Sequence, residues 1–207
     1  MRVITDLVSL GYNCRTTRRV RDHFQYESAF PFDWWVTPLK GAARFLSDWD
    51  VERLFDPDQL AEERAGESIA YVHHRRYGIK LQHDFPIKDG RVVLGWREHI
   101  DSAKSRTRHL MAKLDCLDDP ARRILFYREL SPLERPEPTL LKALRKQAAA
   151  RAQRAHHAFL LISPQGVAAE GWMPLRINDP DPAPWSGNPQ IWNDALASLG
   201  FSLVAPN

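Results

Sequence analysis

Among the residues that could do chemistry, Cys14 has the clearest rationale. An apolar run from Val3 to Leu10 reads as a strand and ends at Gly11, and a helix is predicted from Arg15 to Phe24. Cys14 then falls at or near that helix's N-terminus. There the unpaired N–H groups and the helix dipole favour the thiolate, the nucleophilic form of the side chain. The second cysteine, Cys116, lies near the end of a predicted helix and reads as a small semi-buried apolar residue. Two cysteines without paired spacing imply neither a disulfide framework nor a metal site. His73-His74 and His156-His157 are neighbours on predicted strands, where adjacent side chains face opposite ways, so no metal is expected there either. Asp33 sits between Phe32 and Trp34. A carboxylate in such surroundings is costly to bury unless paired. It reads as a cap on local N–H groups, or as the anchor of an arginine or histidine in a site. Arg128, closing an apolar run, needs a carboxylate or a substrate anion, and Asp33 is one internal possibility. Trp185 and Trp192, near the terminal loop, allow a carbohydrate-stacking surface.

The elements that must position these residues alternate. After the first strand and helix, an aromatic and proline-rich loop from Tyr26 becomes helical at Leu39 to Leu46. Residues 47–68 read as a surface connection with a short helix. Ile69 to Leu81 is extended, with a turn at Gly78, and Lys88-Asp89-Gly90-Arg91 reads as a hairpin turn. Helices are predicted over Trp96 to Leu117, over Thr139 to Arg154 with Thr139 as N-cap, and over Ile191 to Leu199. Strands are predicted at Arg123 to Arg128, His157 to Ile162, Pro174 to Ile177 and Phe201 to Val204. This order argues for an α/β fold: one layered domain over 1–207, a central sheet flanked by helices, papain-like or Rossmann-like.

Composition sets the remaining bounds. Of 207 residues, 43% are hydrophobic and 27% charged, as in an ordinary globular chain. No apolar run reaches the roughly 20 residues that span a bilayer, and the N-terminus reads as a strand instead of a signal peptide. A cytoplasmic protein without membrane contact is the expectation. The net charge of +3 is mild. The arginines of residues 15–21 and the cluster Arg145, Lys146, Arg151 and Arg154 read as solvated helix faces. No nucleic-acid partner and no cofactor is expected. Ser9-Leu10-Gly11-Tyr12-Asn13 lacks the repeated glycines of a phosphate loop.

Four blocks occur in order: Ser9-Leu10-Gly11-Tyr12-Asn13-Cys14, Phe30-Pro31-Phe32-Asp33-Trp34, His83-Asp84-Phe85 and Leu125-Phe126-Tyr127-Arg128. Together they resemble a bacterial family of uncharacterised domains described as papain-like cysteine peptidases. The resemblance covers most of the chain, with the last third matched most loosely. It implies a cysteine peptidase or related thiol hydrolase or acyltransferase acting on a peptide or other acyl substrate. Cys14 would be the nucleophile and His83 the general base that takes the thiol proton and returns it to the leaving group. A third group should orient the imidazole. Asp33 lies in a family block. Asn178 and Asp179 follow a late strand. Asp84 is adjacent to His83 but, on a strand, would face away. The glutamine that usually precedes a papain-type cysteine is absent, leaving Asn13 and the Cys14 N–H to bind an oxyanion, with Arg128 as a substrate-binding candidate.

Two other readings stand beside this one. Ser9-Leu10-Gly11 loosely resembles the first block of flat-sheet serine esterases, without their aspartate and downstream Asp-x-x-His. Alternatively, the helix N-terminus at residues 11–16 would hold the anion of a sugar phosphate or nucleotide sugar, helped by Arg15, Arg18 or Arg128, with no catalysis.

Overall fold

A computed structural model describes residues 2–179 and 188–204. The chain opens with β1 (Arg2–Ile4), β2 (Asp6–Ser9) and α1 (Cys14–Phe24), then a 3-10 turn (Pro31–Trp34), α2 (Leu39–Asp48) and α3 (Val51–Leu54). An insert follows: β3 (Leu60–Ala65), β4 (Ser68–His74), a 3-10 turn (Gln82–Asp84), β5 (Ile87–Lys88) and β6 (Arg91–Val92). The remainder runs through a 3-10 turn (Trp96–His99), α4 (Ile100–Asp115), β7 (Arg123–Glu129), α5 (Pro138–Ala149), β8 (His156–Ser163), β9 (Met173–Arg176), α6 (Pro189–Ala197) and β10 (Phe201–Leu203).

The central sheet is parallel. β2, β7, β8 and β9 are hydrogen-bonded in that order, and β1 pairs with β10. β1 and β2 lie end to end, with Thr5 N donating to Arg123 O at 2.8 Å, so β10 extends the sheet on the far side. Strands buried on both faces should be apolar at successive positions, and they are. Val8, Ile124, Phe126, Phe159 and Leu161 pack with α2, α4 and α5. Leu7, Leu125, Tyr127, Leu160 and Ile162 pack with Val20 of α1 and with Trp192 and Leu196 of α6. The result is three layers, helices on both faces of a parallel sheet, the Rossmann-like of the two arrangements expected. The insert is a separate antiparallel sheet in the order β3-β4-β6-β5.

Several expectations are corrected locally. Residues 60–65, read as surface connection, form β3; its residues Glu62 to Ala65 are charged or small and half-buried to exposed, which hides the strand signal. The extended run expected to Leu81 stops at His74, and Lys80 rejoins it only through isolated bridges to His73 and Val36. Helix α5 begins at Pro138, whose fixed φ suits the first helical position, with Glu137 and not Thr139 at the cap. It ends at Ala149, short of Arg154. Cys116 is exposed rather than semi-buried.

The turn from β2 into α1 is the unusual connection. Gly11 and Tyr12 are both left-handed, with φ of 89° and 93°. A side chain at Gly11 would place its Cβ 2.9 Å from Thr37 Cβ and 3.1 Å from Arg128 Nη1, so this position needs glycine for space as well as for φ. Tyr12 holds its conformation against the cost of a β-carbon at positive φ, and Thr37 N donates to its carbonyl at 3.0 Å.

Candidate functional site

Helix α1 starts because Asn13 caps it: Asn13 Oδ1 accepts from Thr16 N at 3.1 Å. Cys14 is the first helical residue, at the carboxyl end of β2, where ligands of parallel sheets gather. Its thiol is half-buried. Burial pushes the thiol pKa up, more than the N–H groups of Cys14 and Arg15 pull it down. The helix terminus is also already occupied by an acid. Glu129, buried at the end of β7, accepts from Thr16 Oγ1 and from Arg15 Nη2 at 3.1 Å. The thiolate expected at Cys14 is therefore not favoured in this resting arrangement. Ser9 is wholly buried and its Oγ accepts from Gly11 N at 3.1 Å, so it is no accessible nucleophile.

Arg128, on the next pleat from Glu129, turns to the other face. It is fully buried and donates through Nη1 to Leu10 O at 3.0 Å and Thr37 O at 2.8 Å. Its Nη2 donates to both carboxylate oxygens of Glu134, each at 2.9 Å. Its partner is thus Glu134 and not Asp33, and its role is to tie the ends of β2 and β7 to the start of α2. Asp33 takes the capping role. It accepts from Phe30 N at 2.8 Å, and Arg21 Nη1 lies 3.7 Å away. Burial raises its carboxyl pKa to about 7, against the opposing effects of the Phe30 N–H, Arg21 and Lys113.

His83 and Asp84 do not lie on a strand. They belong to a 3-10 turn, in which neighbours are rotated by about 120° instead of the 180° of a strand. Both line one cavity of about 640 Å³ with Trp34, Trp35, Arg106 and His109. Trp35 Nε1 donates to Asp84 Oδ2 at 2.8 Å, and the Trp34 ring meets His83 edge-on at 5.9 Å between centroids. Arg106 Nη2 donates to the Asp84 carbonyl. Burial shifts the two side chains in opposite directions on the pH scale. The His83 pKa falls below its ordinary value through desolvation. The Asp84 carboxyl rises to about 7, with the Trp35 N–H and Arg106 opposing the shift.

Cys14 does not line this cavity and makes no hydrogen bond to His83 among the described residues. The Trp34 indole also lines a groove with Thr17, Arg18 and Arg21, which Cys14 does not line either. Those residues follow Cys14 at i+3, i+4 and i+7, on one face of α1. Asp179 is occupied elsewhere, accepting from Trp192 Nε1 at 3.1 Å and Asn188 N at 2.8 Å to anchor α6. Asn178 is exposed. Trp192 is buried and does not form a carbohydrate-stacking surface, while Trp185 lies outside the described residues. Sequence reasoning missed Arg106, which carries no motif, and Glu129 and Glu134, whose roles depend on the sheet's register.

No protein-family model, curated protein or solved structure matches the chain. Among the described residues, no helix is long and apolar enough to cross a membrane, and no group of three or more His, Cys, Asp or Glu could hold a metal ion.

Proposed function

We propose that the chain takes a small acyl substrate into the cavity between Trp34 and Trp35 and hydrolyses it by general acid–base catalysis. One observation carries this reading: His83 and Asp84, on a single 3-10 turn, line the same aromatic-walled cavity, the imidazole with its pKa lowered and the carboxyl raised to about 7. Paired groups displaced in this way suit a base and an acid working at neutral pH. His83 removes a proton from water as the oxygen attacks the acyl carbon. Asp84 gives its proton to the departing oxygen or nitrogen. Arg106 supplies positive charge beside the developing oxyanion. The test is hydrolysis of a series of p-nitrophenyl esters and anilides. Rates should fall at least about a hundredfold in His83→Ala and in Asp84→Asn, with Cys14→Ser unchanged. A rate indifferent to both cavity variants would exclude the proposal.

A second reading keeps Cys14 as nucleophile and His83 as its base. It is favoured by the position of Cys14 at the first turn of α1. It requires the two residues to approach each other, and it predicts a reactive thiol. With its pKa raised by burial, Cys14 should instead be alkylated by iodoacetamide at pH 6 more slowly than the exposed Cys116. Peptide mapping after a timed pulse reads the ratio. Faster labelling at Cys14, abolished by His83→Ala, would favour the thiol mechanism.

A further inference from the structure

A second cavity lies apart from the His83–Asp84 site, at the amino-terminal ends of β8 and β9 and against α5. Its volume is about 800 Å³. Lys142, Arg145 and Lys146 of α5 line it, and among the described residues no carboxylate does. The same stretch of sequence reads as a solvated helix face, but the cations divide. Arg154 pairs with Asp118 at 3.2 Å, and Arg151 lies over the Trp49 ring. No ion pair engages Lys142, Arg145 or Lys146 among the described residues. The other wall is apolar, formed by Ala149, Ala158, Phe159 and Met173.

Trp172 also lines the cavity and is 6% exposed. Gly171 has φ of 75°, and a Cβ there would meet Arg145 Nη1 at 2.0 Å. The missing side chain is what lets the guanidinium lie against this wall. His157, also in the lining, is fixed by donating Nε2–H to Ala152 O at 2.6 Å.

We infer that this cavity binds a small organic phosphate, the dianion held by Lys142, Arg145 and Lys146, and the apolar body against Phe159 and Met173. Three cations match a group with three acceptor oxygens better than a carboxylate. This site is independent of the His83–Asp84 chemistry.

The full chain should be titrated calorimetrically with 1-naphthyl phosphate, 1-naphthoate and 1-naphthol at low salt. Naphthyl phosphate should bind with a dissociation constant below about 1 mM, the naphthoate at least about threefold more weakly, and naphthol more weakly still. Replacing Lys142, Arg145 and Lys146 together by alanine should weaken the phosphate at least about tenfold. The urea midpoint of the triple variant should not fall below the parent's, which separates loss of binding from loss of folding. Equal binding of naphthol and naphthyl phosphate, unchanged affinity in the triple variant, or no phosphate binding at all would each overturn the inference.

Discussion

Replacing Arg128 by methionine should remove about 3–5 kcal/mol of folding free energy, a large share of the roughly 5–15 kcal/mol typical of a domain. The guanidinium has no exposed surface, and its two terminal nitrogens make four hydrogen bonds. Its loss strands two carbonyls, Leu10 O and Thr37 O. It also leaves the Glu134 carboxylate with only the backbone N–H groups of Leu39 at 2.6 Å and Ser131 at 3.1 Å. A partly buried acid without its counter-charge is worse than no acid. The double variant Arg128→Met, Glu134→Leu should therefore recover part of the loss. Urea midpoints at unchanged m-value measure both. A single-variant loss under about 1 kcal/mol, the range of a surface pair, would mean that Arg128 is not the tie described.

Asp33→Asn should stabilise the protein at pH 8, and stabilise it less at pH 5. The Asp33 carboxyl is 2% exposed and its folded pKa is raised to about 7 from an unfolded value of 3.8. The unfolded chain gives up its proton more readily than the folded one. The stability contribution is thus fully present below pH 3.8 and is lost as pH rises through 7. With both ends of that range, the cost of the ionised form is at most about 4 kcal/mol. Asparagine keeps the acceptor for Phe30 N and never ionises. Urea unfolding of the two proteins should show a difference in midpoint that is larger at pH 8 than at pH 5 and vanishes below about pH 4. A variant less stable than the parent at pH 8 would show that Arg21, 3.7 Å away, keeps the carboxylate ionised without penalty.

What the sequence made legible follows from where the deciding forces are local. The strand Val3 to Leu10, broken only at Thr5, and the helix from Cys14 depend on apolar runs and an asparagine cap, both visible within a dozen residues. The parallel alternation of the core strands is legible for the same reason. The insert's β3 is not, since a half-exposed strand of Glu and Arg has no apolar period. The placement of Asp84 depended on whether His83-Asp84-Phe85 is a strand or a tight turn. Pairing decides that, and the stretch has no pairing partner in sequence. Partners of charged groups are the least legible. Arg128 joins Glu134, six residues on, and not Asp33, because the pleat of β7 faces it toward Thr37 while Glu129 faces α1. The direction of the Cys14 pKa shift was not legible for a related reason. Proximity to a helix end is local, but burial and an acid arriving from β7 are not.

The insert between α3 and α4 also affects how the chain emerges from the ribosome. Asp6 of β2 pairs with Ile124 of β7, 118 residues later (124 − 6), and β1 pairs only with β10, Arg2 opposite Phe201. At about 5–20 residues per second, β2 waits roughly 6–24 s for its neighbour to be synthesised. All four of its residues are buried in the finished fold, so the nascent chain must keep a sticky segment unpaired throughout that interval. The antiparallel insert, whose β3 and β4 pair locally, has its strands in hand well before β7 appears. Translation therefore completes the insert's strands before the central sheet can close, and the window for misassociation lies between the two.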